Sequence, residues 1–190
     1  ISIILLCFFR NYYYFCKVEI TNMTEVKIQD KELAQAAAEG ADAFLQLVID
    51  KTRKAIGGEL TAESMARMSS KQITLIGYSI LRDEVMDGGF VQLIHNGYGP
   101  FFFRNPFDTA VRTWGLVELC RLMRRVKKRY LRHHEEIEKE MTDEEFMAIY
   151  EPMQIFDEFD DDFITNEEAW TNAVAHFVDE HLEECITICQ

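Results

Sequence analysis

Residues 82–114, RDEVMDGGFVQLIHNGYGPFFFRNPFDTAVRTW, decide how this chain folds. Gly88, Gly89, Gly97 and Gly99 stand between large apolar residues, so backbone freedom and core-forming bulk meet within a few turns of chain. Asp87-Gly88-Gly89 reads as the end of one helix, residues 90–95 as a short apolar helix, and Asn96-Gly97-Tyr98-Gly99-Pro100 as a turn. Phe101, Phe102 and Phe103 must then be buried. Asn105-Pro106 signals a new helix start, because Asn caps and Pro fits the first helical turn, and a short helix is expected over 107–113. None of this is a catalytic motif. It is a crossroads that other helices have to cover.

Helical periodicity continues on both sides. Over 27–55, Leu33, Ala36, Ala37, Ala41, Phe44, Leu45, Val48 and Ile49 recur at three- and four-residue steps, and Gly57-Gly58 ends the pattern. Thr61 can cap a second helix over 62–86, where Met65, Met68, Ile73, Ile76, Ile80 and Leu81 read as core rather than as a methionine-lined groove. Downstream, Gly115 interrupts the chain before a long helix over 116–140, with Leu116, Leu119, Leu122, Met123, Val126, Tyr130 and Ile137 as its apolar set. The expected fold is all-α, a single compact multi-helix domain over 23–190. Residues 1–22 are far more apolar and begin without methionine. They read as a non-core extension upstream of a start at Met23, or else as a truncated signal peptide or membrane anchor, although the run 1–9 is too short to span a bilayer.

The 190 residues carry a net charge of -13, enough chain for one domain with a real core. Hydrophobic residues at 48% and aromatics at 12% argue against disorder, so the acid is displayed on a folded body. That balance disfavours direct contact with nucleic acid, whose affinity depends on Lys and Arg at the phosphates, and favours a basic partner. The acidity is regional. Residues 133–190 hold 19 acidic residues against Lys139 alone, a net of -18, which leaves +5 for the rest of the chain. Just before this portion, Arg121, Arg124, Arg125, Lys127, Lys128, Arg129 and Arg132 crowd about three turns of the long helix. They read as partners for acidic neighbours or for a dimer mate rather than as a DNA reader.

Two capping boxes are expected in the acidic portion. Thr142-Asp143-Glu144-Glu145 would open a helix reaching Tyr150, and Thr165-Asn166-Glu167-Glu168 a final helix carrying Trp170, Val174, Phe177, His181 and Cys185. Between them Asp157-Glu158-Phe159-Asp160-Asp161-Asp162 reads as an acidic loop pinned by Phe156, Phe159 and Phe163. It does not fit the EF-hand spacing: counted from Asp157, Phe159 takes the third ligand position and Asp162 the place of the turn glycine. The five cysteines show no disulfide framework or zinc spacing, and His181, Cys185 and Cys189 lack an evident fourth ligand. There is no phosphate-binding glycine loop with Lys-Ser/Thr and no nucleophile elbow. His95 reads as a structural histidine. No enzyme, metal or cofactor is expected.

The run from Glu84 to Ile94 with its Gly88-Gly89-Phe90, continued by Asn96-Gly97-Tyr98-Gly99 and Asn105-Pro106-Phe107, resembles the acidic DNA-mimic protein family known from Neisseria. The tail is similar too, through Thr142-Asp143-Glu144-Glu145-Phe146-Met147, Phe156 to Asp161, and the closing segment with His176 and Asp179-Glu180. The Glu-x-x-x-Gly-Gly-Phe core belongs to a wider group of bacterial domains and speaks to fold more than to function. The resemblance implies a mainly helical, dimeric protein whose carboxylates imitate DNA phosphates and occupy the DNA-binding face of a helix-turn-helix transcription factor; the cysteine usage points to a reducing compartment, and a cytoplasmic location is expected. Local charge nominates Glu135, Glu136, Asp143, Glu144, Asp157, Glu158, Asp160, Asp161, Asp162, Glu167 and Glu168 as the partner-binding set. Two other classes remain open: an acidic interaction module of unrelated role, and an enzyme or metal-binding domain built near His95, Asn96 and Tyr98.

Overall fold

A computed structural model describes residues 23–139 and 154–190, together with Thr142, Glu144, Glu145 and Ala148. In chain order these form β1 (Lys27–Gln29), α1 (Asp30–Glu39), α2 (Ala41–Ile56), α3 (Ala62–Met65) and α4 (Ser70–Leu93). A π-helical turn (Ile94–Tyr98) leads into α5 (Gly99–Arg104), α6 (Phe107–Thr113), α7 (Val117–Ile137), α8 (Asp157–Glu180), α9 (Leu182–Cys185) and β2 (Thr187–Cys189). Among the described residues the fold is all-α but for one parallel pair of short strands, with Lys27 opposite Thr187 and Gln29 opposite Cys189.

α4 runs through the middle. It buries Leu75, Ile76, Tyr78, Leu81, Val85 and Phe90, and α8 lies against it, against α2 and against α7. The crossroads behaves largely as its sequence demands. Gly89 adopts φ 73 and ψ -175, breaking the helix, which resumes at Phe90. Phe102 and Phe103 are buried, and Phe101 is half-buried edge-on to Phe102. The 96–100 turn is instead the end of the π-helical turn, with Gly97 at φ 85, and Gly99-Pro100 already opens α5. Asn105 does not cap α6. Its side-chain amide donates to the carbonyls of Pro100 (3.4 Å) and Phe101 (3.2 Å), closing α5 behind it, while α6 starts where expected.

Other expectations need correction. The helix expected over 27–55 is β1, α1 and α2, because Gly40 at φ 129 cannot continue a helix and α1 buries only Leu33. The helix over 62–86 is also divided. Thr61 forms a capping box with Ser64 but α3 lasts four residues, and Ser69 starts α4 through a second box with Gln72. The box at Thr142 and Glu145 forms, with Thr142 N–H 2.9 Å from Glu145 Oε2 and Glu145 N–H 3.3 Å from Thr142 Oγ1. Its continuation to Tyr150 lies outside the described residues.

The largest correction concerns residues 157–168. They are not a loop followed by a new helix; α8 runs unbroken from Asp157, and Thr165 is an exposed mid-helix residue. Phe159, Phe163, Trp170, Val174 and Val178 are buried at helical spacing, so apolar burial holds the acid-rich sequence helical. Asp157, Glu158 and Asp160 in its first turn also face the favourable end of the helix dipole.

Candidate functional site

α8 sorts its acids by face. Towards α4 and α2, Asp160 Oδ1 accepts the Phe90 N–H at 2.8 Å, satisfying a backbone donor freed by the break at Gly89. The fit is close: a Cβ on Gly89 would lie 2.6 Å from Asp160 Oδ2. Burial pushes the Asp160 carboxyl up to about 6, and neighbouring Asp157 and Asp161 act in the same direction. Two turns along, Glu167 is 14% exposed and meets Arg82 Nε at 2.5 Å, while Arg82 Nη1 reaches Asp42 at 2.8 Å. Thr171 donates to Glu167 at 2.7 Å and shares a 2.8 Å hydrogen bond with the Tyr78 hydroxyl. This chain of bonds clips α2, α4 and α8 together.

Towards α7, Arg125 pairs with Asp162 (2.8 Å) and Glu158 (3.2 Å), and Arg129 with Glu158 (3.5 Å). Both guanidinium groups lie over the Phe159 ring, at 5.0 and 5.7 Å from its centroid. Part of the basic helix therefore neutralises acidic neighbours, as its composition suggested.

The outer face is different. Asp157, Asp161 and Glu168 are exposed, and none forms an ion pair among the described residues. At about 100° per residue they fall within an arc of about 40°, and Asp179, also exposed, returns to the same arc. Exposed Ile164 lies between Asp161 and Glu168. The aromatic residues on the opposite side of α8 are buried, so this row of carboxylates stands on a helix fixed by the core.

The eleven nominated residues thus divide. Asp157, Asp161 and Glu168 share the outer row; Glu158, Asp160, Asp162 and Glu167 are tied to groups of the protein itself. Glu135 and Glu136 are exposed near the C-terminal end of α7, Glu144 is exposed beside its capping box, and Asp143 lies outside the described residues. The sequence reading passed over Asp179, for which the signal is its 11-residue, three-turn step from Glu168. It also passed over Arg82, which no local motif marks.

At the crossroads the polar groups hold structure. His95 Nδ1 is 3.1 Å from the Ile137 carbonyl, and the Asn96 amide donates to Glu84 at 2.7 Å. Tyr130 donates to Glu138 at 2.8 Å, and His134 lies 3.2 Å from the same carboxylate. His181 stacks on Phe177, and burial pushes the Cys185 thiol up to about 11. Among the described residues no three His, Cys, Asp or Glu side chains form a group able to hold a metal, and no helix is long and apolar enough to cross a membrane.

Residues 66–181 match the family described as DMP19-like protein. Over 76 residues the chain is 38% identical to the DNA mimic protein DMP19 of Neisseria meningitidis serogroup B (strain ATCC BAA-335 / MC58), covering 40% of this chain and 46% of that protein. The match thus spans less than half the length of that relative. The family match takes in α4 to α8, with the Gly88-Gly89 break and the acidic helix, and extends over more than half of the sequence. On that match, the chain belongs to the DMP19-like protein family.

Proposed function

We propose that this protein is a DNA mimic that occupies the DNA-binding face of a helix-turn-helix transcription factor and keeps it from DNA. The observation that carries the reading is the outer row of α8: Asp157, Asp161 and Glu168, aligned, exposed and without internal cations among the described residues. DNA-binding proteins take much of their affinity from Lys and Arg contacts to phosphate. A rigid row of carboxylates competes for the same cations at low ordering cost, and its field speeds encounter. Membership in a family that includes a protein named as a DNA mimic points the same way. The acids facing α7 and α4 support the row by holding α8 in place. We place this activity in the cytoplasm and in a homodimer.

The test is a pull-down from native host lysate at low and moderate salt, with wild type and a variant carrying Asp157→Asn, Asp161→Asn and Glu168→Gln. Wild type is expected to retain a helix-turn-helix regulator that duplex DNA displaces. The triple variant is expected to bind it on the order of 10-fold more weakly and with a shallower salt dependence, at unchanged thermal stability. Capture of a partner indifferent to DNA, or equal capture by the variant, would sink the reading.

A further inference from the structure

We propose that Ile164 is the apolar anchor of the acidic row on α8: flanked by carboxylates, it packs against the apolar side chains with which a helix-turn-helix regulator touches thymine methyl groups. This rests on the mimic reading above and names the part of the regulator that the centre of the row meets.

Ile164 is 50% exposed, the one exposed large apolar side chain of α8. The other exposed positions from Asp157 to Glu168 are acidic except Thr165, so along this helix it stands alone among acids. Its place in the row is central. Asp157, Asp161, Ile164 and Glu168 step by four, three and four residues, and at about 100° per residue they share an arc of about 60°. With a rise of about 1.5 Å per residue, Ile164 lies about 4.5 Å along the axis from Asp161 and about 6 Å from Glu168. Phe163, the residue before it, is fully buried and meets the rings of Phe90 and Trp170 edge-on, so Ile164 is presented from a fixed backbone.

A single exposed isoleucine is ordinary in itself. The order of groups along the row is what points to a partner. A helix-turn-helix face carries Lys and Arg for the phosphates and, between them, residues that read base edges, where Ala, Thr and Phe meet the thymine methyl. Carboxylates on either side of an aliphatic side chain repeat that order, with acid where DNA presents phosphate and methyl groups where it presents thymine. A row of carboxylates alone would set charge against the apolar centre of such a face and leave that centre wet. Apolar contacts near the middle of an interface carry a large share of its affinity, and unlike phosphate contacts they do not weaken as salt is added. Ile164 thus supplies binding that persists where purely ionic contacts fade.

The measurement is the affinity of the full chain for the purified regulator retained in the pull-down above, taken across a range of salt concentrations. Ile164→Ala is expected to bind about 10-fold more weakly at every salt concentration, with the salt slope unchanged. Ile164→Leu, which keeps the apolar volume, should bind within about 3-fold of wild type. Ile164→Asp separates the two readings by sign. Charge mimicry alone would make this variant, with its extra carboxylate, tighter and steeper in salt dependence, whereas loss of the anchor weakens it on the order of 10-fold. Ala and Leu are better helix formers than Ile, so those two variants remain decisive even if Asp disturbs α8. Equal binding by Ile164→Ala, or tighter binding by Ile164→Asp, overturns the anchor while the mimic stands. Capture of no regulator that duplex DNA displaces overturns both.

Discussion

α7 and α8 are of similar length, 21 and 24 residues, and lie side by side, yet they use charge differently. α7 buries only apolar side chains, Cys120 and Tyr130, and turns its cations outward. α8 turns acids both ways. Its outer row is free of internal cations among the described residues, while Asp160 and Glu167 reach inward and satisfy a backbone amide and an arginine. The lesson is that a run of acids does not have one role. A carboxylate beside a broken helix or an opposed guanidinium is part of the framework, and its neighbour one position on is available to a partner.

The comparison can be broken first at Gly89. Alanine there has to hold φ 73 and ψ -175 and place its Cβ against Asp160, so Gly89→Ala should cost about 3 kcal/mol, read as a fall in the urea midpoint. An effect as small as about 0.5 kcal/mol would mean that Asp160 does not seal the break. Next comes Arg82→Met, which leaves Glu167 and Asp42 without their cation. With Arg82 27% and Asp42 67% exposed, part of the charge stays solvated, and the loss should be about 2 kcal/mol.

The smallest effect sharpens the contrast within α8. Asp160 in the folded protein titrates at about 6 against an ordinary 3.8, so the folded state takes up the proton first. Stability should therefore rise as pH falls through about 6 towards about 4, and fall again as pH is raised through that window. Asp160→Asn keeps an acceptor for the Phe90 N–H and should flatten this slope without lowering stability at neutral pH. Urea midpoints across that window, compared between wild type and variant, decide it; identical slopes would assign the titration elsewhere.

Much of this was readable in the sequence. The apolar steps of 116–140, the break at Gly88-Gly89 and the burial of Phe102 and Phe103 all follow from side-chain volume and backbone freedom, which are local properties. Asp157 to Asp162 were misread as a loop because six residues hold five acids, and the step Phe159, Phe163, Trp170 that makes them helical starts inside that run. The inward acids were not separable from the outward ones. Asp160 has its role only because Phe90, 70 positions earlier, lacks a helical acceptor, and Glu167 only because α4 brings Arg82 to it. Those are tertiary facts. The overall class and the family were legible; which acids face outward required the packing of α4 and α8.

The pairing of β1 with β2 carries a consequence for how the chain acquires its structure. Lys27 and Thr187 are 160 positions apart, whereas sequence neighbours such as α1 with α2 and α6 with α7 can pack as they emerge. During synthesis β1 waits without its partner until the 160 positions up to Thr187 have been made, and closing so long a loop has an entropic cost that local helices do not share. The clasp is thus expected to form late, after the helical body has brought its two halves within reach. Deleting residues 187–189 should then leave the rate of helix formation unchanged and act mainly on unfolding, by freeing the segment before α1.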